Sequence, residues 1–452
     1  MRNLLLLSFT LFTSLQAMTL DATISYALEH NNALKQTALS IEYSKSMRET
    51  KKAQKFGRLD ALASYDYYNN ARTLTPLTPM SIVGSPDGAY TIPTTQNMFS
   101  VGIAYNVVLF DGFAQKNSYK IADLQYKSAA IKSSLGREEL IYNVRNLYIS
   151  LLAAQEQLEA QNLYTLAQDR IAKRIKKEME LGSKSRLDML RAQSSVAASV
   201  SQVASIGSNI AILKATLSSL MGDKVFDKTE PIEITLPEVL SFDASSADLH
   251  SLKRYQASEL NVQASQKKKE QAASAYYPHV DFSAYYGQNF GPNDTTNVVP
   301  LTSTASTAGE TVIDEGDWNN DANYQIGVHV KWNILDFGQT SALNEAARVS
   351  YLQAKLESNG VAIELRKSIM TAQSKIKLAK AQYINAQVQY NLLNETQKME
   401  QVRYDNNALS LTDLLDTSAK KELTYVQMIN AKYNYKKANY YLDYLLEKGE
   451  IK

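Results

Sequence analysis

Val101-Gly-Ile-Ala-Tyr-Asn-Val-Val-Leu-Phe-Asp111 and Ile326-Gly-Val-His-Val-Lys-Trp-Asn-Ile-Leu-Asp336 are two versions of one pattern. Each is an alternating apolar stretch that runs into an Asp with a Gly close behind. A second pair behaves in the same way, Leu59-Asp-Ala-Leu-Ala-Ser-Tyr65 returning as Val280-Asp-Phe-Ser-Ala-Tyr-Tyr286. The two offsets differ by only a few residues. A long unit is therefore duplicated, unlike a solenoid with a period of about 20–50 residues. Each copy has the order helix, strand, loop, strand, very long helix, hairpin, helix.

The alternation predicts strands at about 58–69, 98–110, 279–290 and 323–335. One face of the second strand is Phe99, Val101, Ile103, Tyr105, Val107 and Leu109; the other carries Ser100, Gly102, Ala104 and Asn106. In the fourth strand Tyr324, Ile326, Val328, Val330, Trp332 and Ile334 oppose Gln325, Gly327, His329, Lys331 and Asn333. A strict period of two gives one wet and one apolar face. Twelve residues at about 3.3 Å each, tilted near 45°, cover roughly 28 Å, close to the apolar band of an outer-membrane barrel. Tyr65, Tyr105, Tyr286, Tyr324 and Trp332 are suited to the band's interfaces. A soluble sandwich would alternate too, but four strands can neither close a barrel nor make two good sheets. Three chains of four strands can close, and closure abolishes the edges that a bilayer forbids. Asp60, Asp66, Asp281, His329 and Lys331 fall on the wet side and are expected to face the lumen.

Within each strand pair the loops, residues 70–97 and 291–322, are rich in Pro, Thr, Ser, Asn and Gly, as suits an outer surface. At the opposite strand ends Asp111-Gly112 and Asp336-Phe337-Gly338 lead into helices, Asp capping and Gly allowing the turn. From 113 to 181 there is no Pro, which at 1.5 Å per residue permits a helix on the order of 100 Å; 339–405 matches it. The seams Val144, Leu147, Leu151, Ala154, Leu158 and Ile369, Ala372, Ile376, Ala379, Tyr383 have the three-four spacing of left-handed coiled coils. Shorter helices at about 19–56, 184–220, 247–275 and 409–447 would pair with the long ones.

The 452 residues carry no Cys and a net charge of +2. That composition excludes a disulfide framework, thiol catalysis and a lipid-modified N-terminal Cys, and it offers nucleic acid no basic face. Residues 1–17 have the charged start and apolar Leu4–Leu15 stretch of a secretory signal. No later apolar run of roughly 18 residues predicts a membrane-spanning helix. The expected organisation is a leader at 1–17, repeat 1 at 18–221 with a hairpin near 182, an equatorial segment at 222–246, and repeat 2 at 247–452 with a hairpin near 407. His30, His250, His279 and His329 show no metal-ligand spacing, and no catalytic motif is present. Neither an enzyme nor a cofactor site is expected.

The opening Leu20-Asp-Ala-Thr-Ile-Ser-Tyr-Ala-Leu28 with Asn31-Asn32 adds to these features. So do the turns Leu109-Phe-Asp-Gly112 and Leu335-Asp-Phe-Gly338, and the hairpins Leu181-Gly182 to Asp188 and Tyr404 to Asp416. In this order, twice, they resemble the TolC family of outer-membrane efflux and secretion channels over essentially the whole mature chain. The resemblance implies an α+β, mostly α, fold: a homotrimer with a twelve-stranded outer-membrane β-barrel on a periplasmic α-helical tunnel. It implies docking to a periplasmic adaptor (a membrane fusion protein) and an inner-membrane transporter of RND, ABC or MFS type. The competing class is a periplasmic coiled-coil adaptor or structural protein.

Both hairpins contain Ser-x-x-Asp, at Ser185–Asp188 and Ser410–Asp413, the signature of a capped returning helix. Capping is the favoured reading of Asp188, with a place in the periplasmic gate's acidic ring as the alternative. Asp416 has Arg191 as its counterpart in copy one, so capping cannot account for it. In a trimer Asp413 and Asp416 would each form a ring of three carboxylates at a periplasmic mouth, favouring entering cations. The resemblance places acidic entrance rings there and makes Tyr404 a gate tyrosine. Leu409 stands where some members have Arg, so closure would rest on packing and other polar contacts. Gly182, Ser183, Ser185, Leu187, Ala408, Leu409 and Leu411 are small or apolar positions suited either to tip-to-tip docking of an adaptor or to simple turn chemistry.

Overall fold

The computed structural model describes residues 18–74, 94–222, 226, 248–294, 318–406 and 408–449. Its principal elements are α1 (Leu20–His30), α2 (Asn32–Ala53), β1 (Arg58–Thr73), β2 (Thr94–Phe110), α3 (Ala114–Glu180) and α4 (Arg186–Leu220). They continue with α5 (Lys253–Ala272), β3 (His279–Pro292), β4 (Trp318–Lys331), α6 (Gln339–Asp405) and α7 (Leu411–Leu445). Helices α3 and α6 are each 67 residues long, and α4 and α7 each 35. The expected leader, most of both loops and nearly all of 222–246 lie outside the described residues.

The chain divides into two compact units. One, Tyr43–Tyr126 with Asn261–Ala354, contains the strands. They form a single antiparallel sheet in the order β1-β2-β3-β4. Register decides what each face is made of. Leu59, Tyr105, Ala284 and Ile326 stand on one rung, and Ala61, Ile103, Tyr286 and Tyr324 on the next rung of the same face. Opposite them run Asp60, Ala104, Tyr285 and Gln325. Within the regular ladder every charged or imidazole side chain lies on this second face: Arg58, Asp60, Asp66, His279, Asp281, Asp321, His329 and Lys331. Arg72 lies past an irregularity between Tyr67 and Arg72.

On the first face Leu59, Val101, Ile103, Tyr286, Tyr324, Ile326, Val328 and Val330 are all half or more exposed. Each such side chain left in water forgoes about 1.5–3 kcal/mol of burial. A hydrocarbon surround removes that deficit. Aromatic rings bracket the band: Phe99 packs against Tyr65, Phe290 and Trp318 toward the loops, and Tyr105 against Phe282 toward the helices. The Tyr105 hydroxyl donates to the Phe56 carbonyl at 2.8 Å, and Trp332 Nε1–H to the Tyr276 carbonyl at 3.2 Å.

The strands differ from expectation at their ends. At the loop side all four run further, because Asn and Asp rungs such as Asp321 with Asn289 continue the ladder despite poor β-propensity. At the helix side β4 stops at Lys331 instead of 335. Lys331 pairs with His279, the first residue of β3, and Pro278 before it has no N–H to extend the ladder. Each strand pair then turns into a helix as its Asp predicts. Asp111 accepts from the Gln115 N–H and Asp336 from the Thr340 N–H, both at 2.8 Å. Gly112 sits at φ 64°, and a Cβ there would lie 2.6 Å from the Ser274 carbonyl oxygen, so no larger residue fits.

The other unit holds most of the helical mass. Its largest core joins Ile24 and Ala27 of α1 to Ile141, Val144, Tyr148 and Leu151 of α3, Leu217 of α4, and Ile429 and Tyr433 of α7. A second joins Leu252 to Leu365, Ile369 and Ala372 of α6 and Leu442 and Leu445 of α7. Both expected seams are thus interior: Val144, Leu151 and Ala154 on α3, and Ile369, Ala372 and Ala379 on α6. Contrary to expectation, α4 is long and apolar enough by composition to cross a membrane. Ala192–Leu213 contains no charged residue, yet Ser, Gln and Asn interrupt every apolar run. Its buried positions Ala192, Ser199 and Ile206 recur every seven residues, the spacing of helix-on-helix packing.

Candidate functional site at the paired helix tips

The α3–α4 turn is built by backbone geometry. Gly182, at φ 78°, donates to the Met179 carbonyl at 2.9 Å, and the Ser183 N–H to Glu178 at 2.8 Å, closing α3 in a Schellman turn. Ser185 then caps α4. Its Oγ accepts from the Asp188 N–H at 3.1 Å, while the Asp188 carboxylate accepts from the Ser185 N–H at 3.2 Å and its hydroxyl at 2.7 Å. These bonds, the hydroxyl's first, hold the Asp188 carboxyl below the usual range. Leu181 and Leu187 project outward, exposed.

The α6–α7 turn follows the same plan with different residues. The Ala408 N–H donates to the Arg403 carbonyl at 2.8 Å. Ser410 Oγ accepts from the Asp413 N–H at 3.2 Å and donates to its carboxylate at 2.7 Å. One turn on, exposed Asp416 meets Lys420 at 2.6 Å. The contact raises the lysine's pKa, and solvent screening leaves an exposed pair of this spacing a weak tie.

Between the turns lies a small core of Ile175, Ala192, Tyr404, Leu411 and Leu414, with Leu409 partly buried against it. Arg174 and Lys184 lie over the Tyr404 ring, 5.3 and 5.0 Å from its centre. The Tyr404 hydroxyl is buried without a hydrogen-bond partner among the described residues, and burial raises its pKa. Arg174 also bonds Glu178 at 2.9 Å and Asp405 at 2.7 Å, tying α3 to α6. Its guanidinium holds the Asp405 carboxyl low. Arg191 donates to Thr412 Oγ1 at 2.9 Å, tying α4 to α7.

The structure therefore brings Asp188, Tyr404, Asp413 and Asp416 to one end of the helices. Gly182, Ser183, Ser185, Leu187 and Ala408 are exposed there. Leu411 is different: at 4 % exposure it belongs to the tip core and presents no surface for docking. The cross-ties through Arg174, Asp405 and Thr412 escaped the sequence reading. Arg191 entered it only as the counterpart of Asp416. No local spacing announces a bond between residues 231 or 221 positions apart.

On the sheet, Asp60, Asp66, Asp281, His329 and Lys331 share the polar face, as expected from alternation. Asp281 stands opposite His329 and bonds His279 at 3.0 Å; His329 and Ser283 are hydrogen-bonded at 3.0 Å.

A four-stranded sheet with one charged and one lipid-compatible face, joined to 67-residue helices that return through capped turns, defines an outer-membrane channel protomer. The family model described as "Outer membrane efflux protein" matches residues 23–223 and 250–446. The chain belongs to that family, which places it in the cell outer membrane. The outer membrane efflux protein BepC of Brucella suis biovar 1 (strain 1330) is 23% identical over 316 residues, 70% of this chain and 61% of BepC. The chain thus spans about three fifths of that curated relative's length. The fold is that of the Campylobacter jejuni CmeC outer membrane channel, with TM-score 0.76 at 17% identity, covering 95% of this chain and 86% of that one. It is also that of Vibrio cholerae VceC, with TM-score 0.76 at 15% identity, covering 95% and 96%.

Proposed function

We propose that three copies of this chain form the exit duct of a tripartite efflux or type I secretion system. Substrate would pass from an inner-membrane transporter and a periplasmic adaptor to the outside, with gating at the helix tips. The observation that carries this reading is the sorting of every ladder charge onto one face while large apolar side chains stand exposed on the other. Such a sheet suits lipid on one side and water on the other. Its outer edges, β1 and β4, have no partner strand among the described residues. An open edge is not tolerated in hydrocarbon, so further copies must complete the barrel. Helix α6 supports the same conclusion with a second, exposed seam at Val349, Leu352, Leu356, Ile363 and Met370, spaced to meet a neighbouring helix. Equal lengths of α3 and α6, and of α4 and α7, support the division into repeats at 18–221 and 247–452.

Gating at the tips draws on the core between the turns. Tyr404 is buried there beneath Arg174 and Lys184, so movement of the helices would have to repack it. Asp413 and Asp416, repeated threefold, would line the mouth with acid. Gly182, Ser183, Ser185, Leu187 and Ala408 remain the exposed positions for an adaptor. The test is the mass of the detergent-solubilised chain by light scattering. A trimer supports the reading; a monodisperse monomer in plain buffer overturns it.

A further inference from the structure

We propose that the helix-proximal end of the sheet's polar face is an ion-selective ring whose charge is shifted by protonation of His279 and His329. The proposal rests on the barrel reading, which turns this face toward the pore.

The rungs at that end concentrate charge. Lys331 pairs with His279, His329 with Asp281, and Asp60 stands on the rung of Tyr285. Arg58 is bonded to Asp60 at 2.7 Å and Asp281 to His279 at 3.0 Å. Strand β2, Thr94–Phe110, contributes no charged residue. On the rungs themselves Arg58 and Lys331 offset Asp60 and Asp281, while the capping carboxylates Asp111 and Asp336 add negative charge past the strand ends. The two imidazoles are what remains to shift that balance. Histidine is the one side chain that ordinarily changes charge between pH 5 and 8. Asp111 and Asp336 at the strand–helix turns are engaged in capping α3 and α6.

The sheet also isolates the ring. Asp66 lies six residues beyond Asp60, roughly 20 Å along the strand at 3.3 Å per residue. Asp321 and its rung partner Asn289 stand eight residues beyond Asp281 and His329, roughly 26 Å away on the same measure. Both exceed a Debye length of about 10 Å at 0.1 M salt. The His329 ring is seated: a Cβ on Gly327 would lie 3.2 Å from its Nε2, and Ser283 holds that nitrogen at 3.0 Å. Protonating two imidazoles in each of three copies would add positive charge to these rungs. Acidification should then favour anions.

The test is the reversal potential of the full-length channel in planar bilayers across a potassium chloride gradient near 0.1 M, from pH 8 to pH 5. The potassium-to-chloride permeability ratio should fall by about two-fold or more on acidification, and the step should fade in 1 M salt, where the Debye length is about 3 Å. The double variant His279→Gln/His329→Gln should lose the step. His329→Lys should hold the ratio toward its acid value at every pH, an outcome that a merely damaged barrel does not give. Asp413→Asn/Asp416→Asn should change the level of the ratio yet keep the step, separating the entrance from this ring. A step that survives in the double histidine variant overturns the proposal while leaving the duct intact. Failure of the parent chain to form any channel overturns both.

Discussion

The two hairpin tips share one backbone plan and differ in what their side chains do. At the first, Ser185 and Asp188 close a reciprocal capping box and Gly182 fixes the turn. At the second, among the described residues, Ser410 and Asp413 make the side-chain half of that arrangement, and Asp416 pairs with Lys420 at the surface. Arg191, at the position equivalent to Asp416, reaches across to Thr412. The first tip is thus built to stay put, while the second keeps its carboxylates at the surface. The two turns share a scaffold, and divergence at a few positions gives their side chains different partners.

The largest effect expected within this pair is in packing. Leu414 is wholly buried in the tip core, whereas its counterpart Met189 only packs against it. Leu414→Ala should cost about 2–5 kcal/mol locally, and Met189→Ala clearly less. Hydrogen exchange of amides in 171–192 and 402–420 reads the difference. Equal protection in the two variants would break the asymmetry. Next comes conductance. Asp416→Ala should raise closed-channel conductance or weaken block by cations, and Arg191→Ala should instead loosen the α4–α7 tie. Unchanged single-channel traces for Asp416→Ala would remove it from the gate. Smaller again is capping: Ser185→Ala and Ser410→Ala should each cost about 1 kcal/mol, since each removes the hydroxyl that accepts the Asp N–H and donates to its carboxylate.

How much of this was legible follows from range. Alternation over Phe99–Leu109 and Tyr324–Val330 revealed the faces, because a strand's side-chain period is local. Ser185–Asp188 and Ser410–Asp413 revealed the caps for the same reason. The limit of β4 at Lys331 was hidden, since it depends on where β3 begins. Burial of Leu411 and the Arg174–Asp405 tie were hidden too. Both are set by helices meeting across the tip, and neither leaves a periodic trace in the chain.

The smallest predicted effect is a pH dependence that treats the two contacts alike. Asp188 and Asp405 both have folded pKa values below their unfolded ones, through Ser185 and Arg174 respectively. A depressed carboxylate contributes stability that is full above the unfolded value, near 3.9, and is lost as pH falls through the folded value. Tip protection should therefore be flat from neutral pH to about pH 5 and decline below it. Both groups are solvent-accessible, so water and salt reduce the size of the decline. Asp405→Asn should abolish the part of the decline seen in α3 and α6 near Arg174, and Asp188→Asn the part seen at the start of α4. If either substitution removed the decline at both places, the anchor and the cross-tie would be one cooperative unit, and the division of labour between the tips would have to be redrawn.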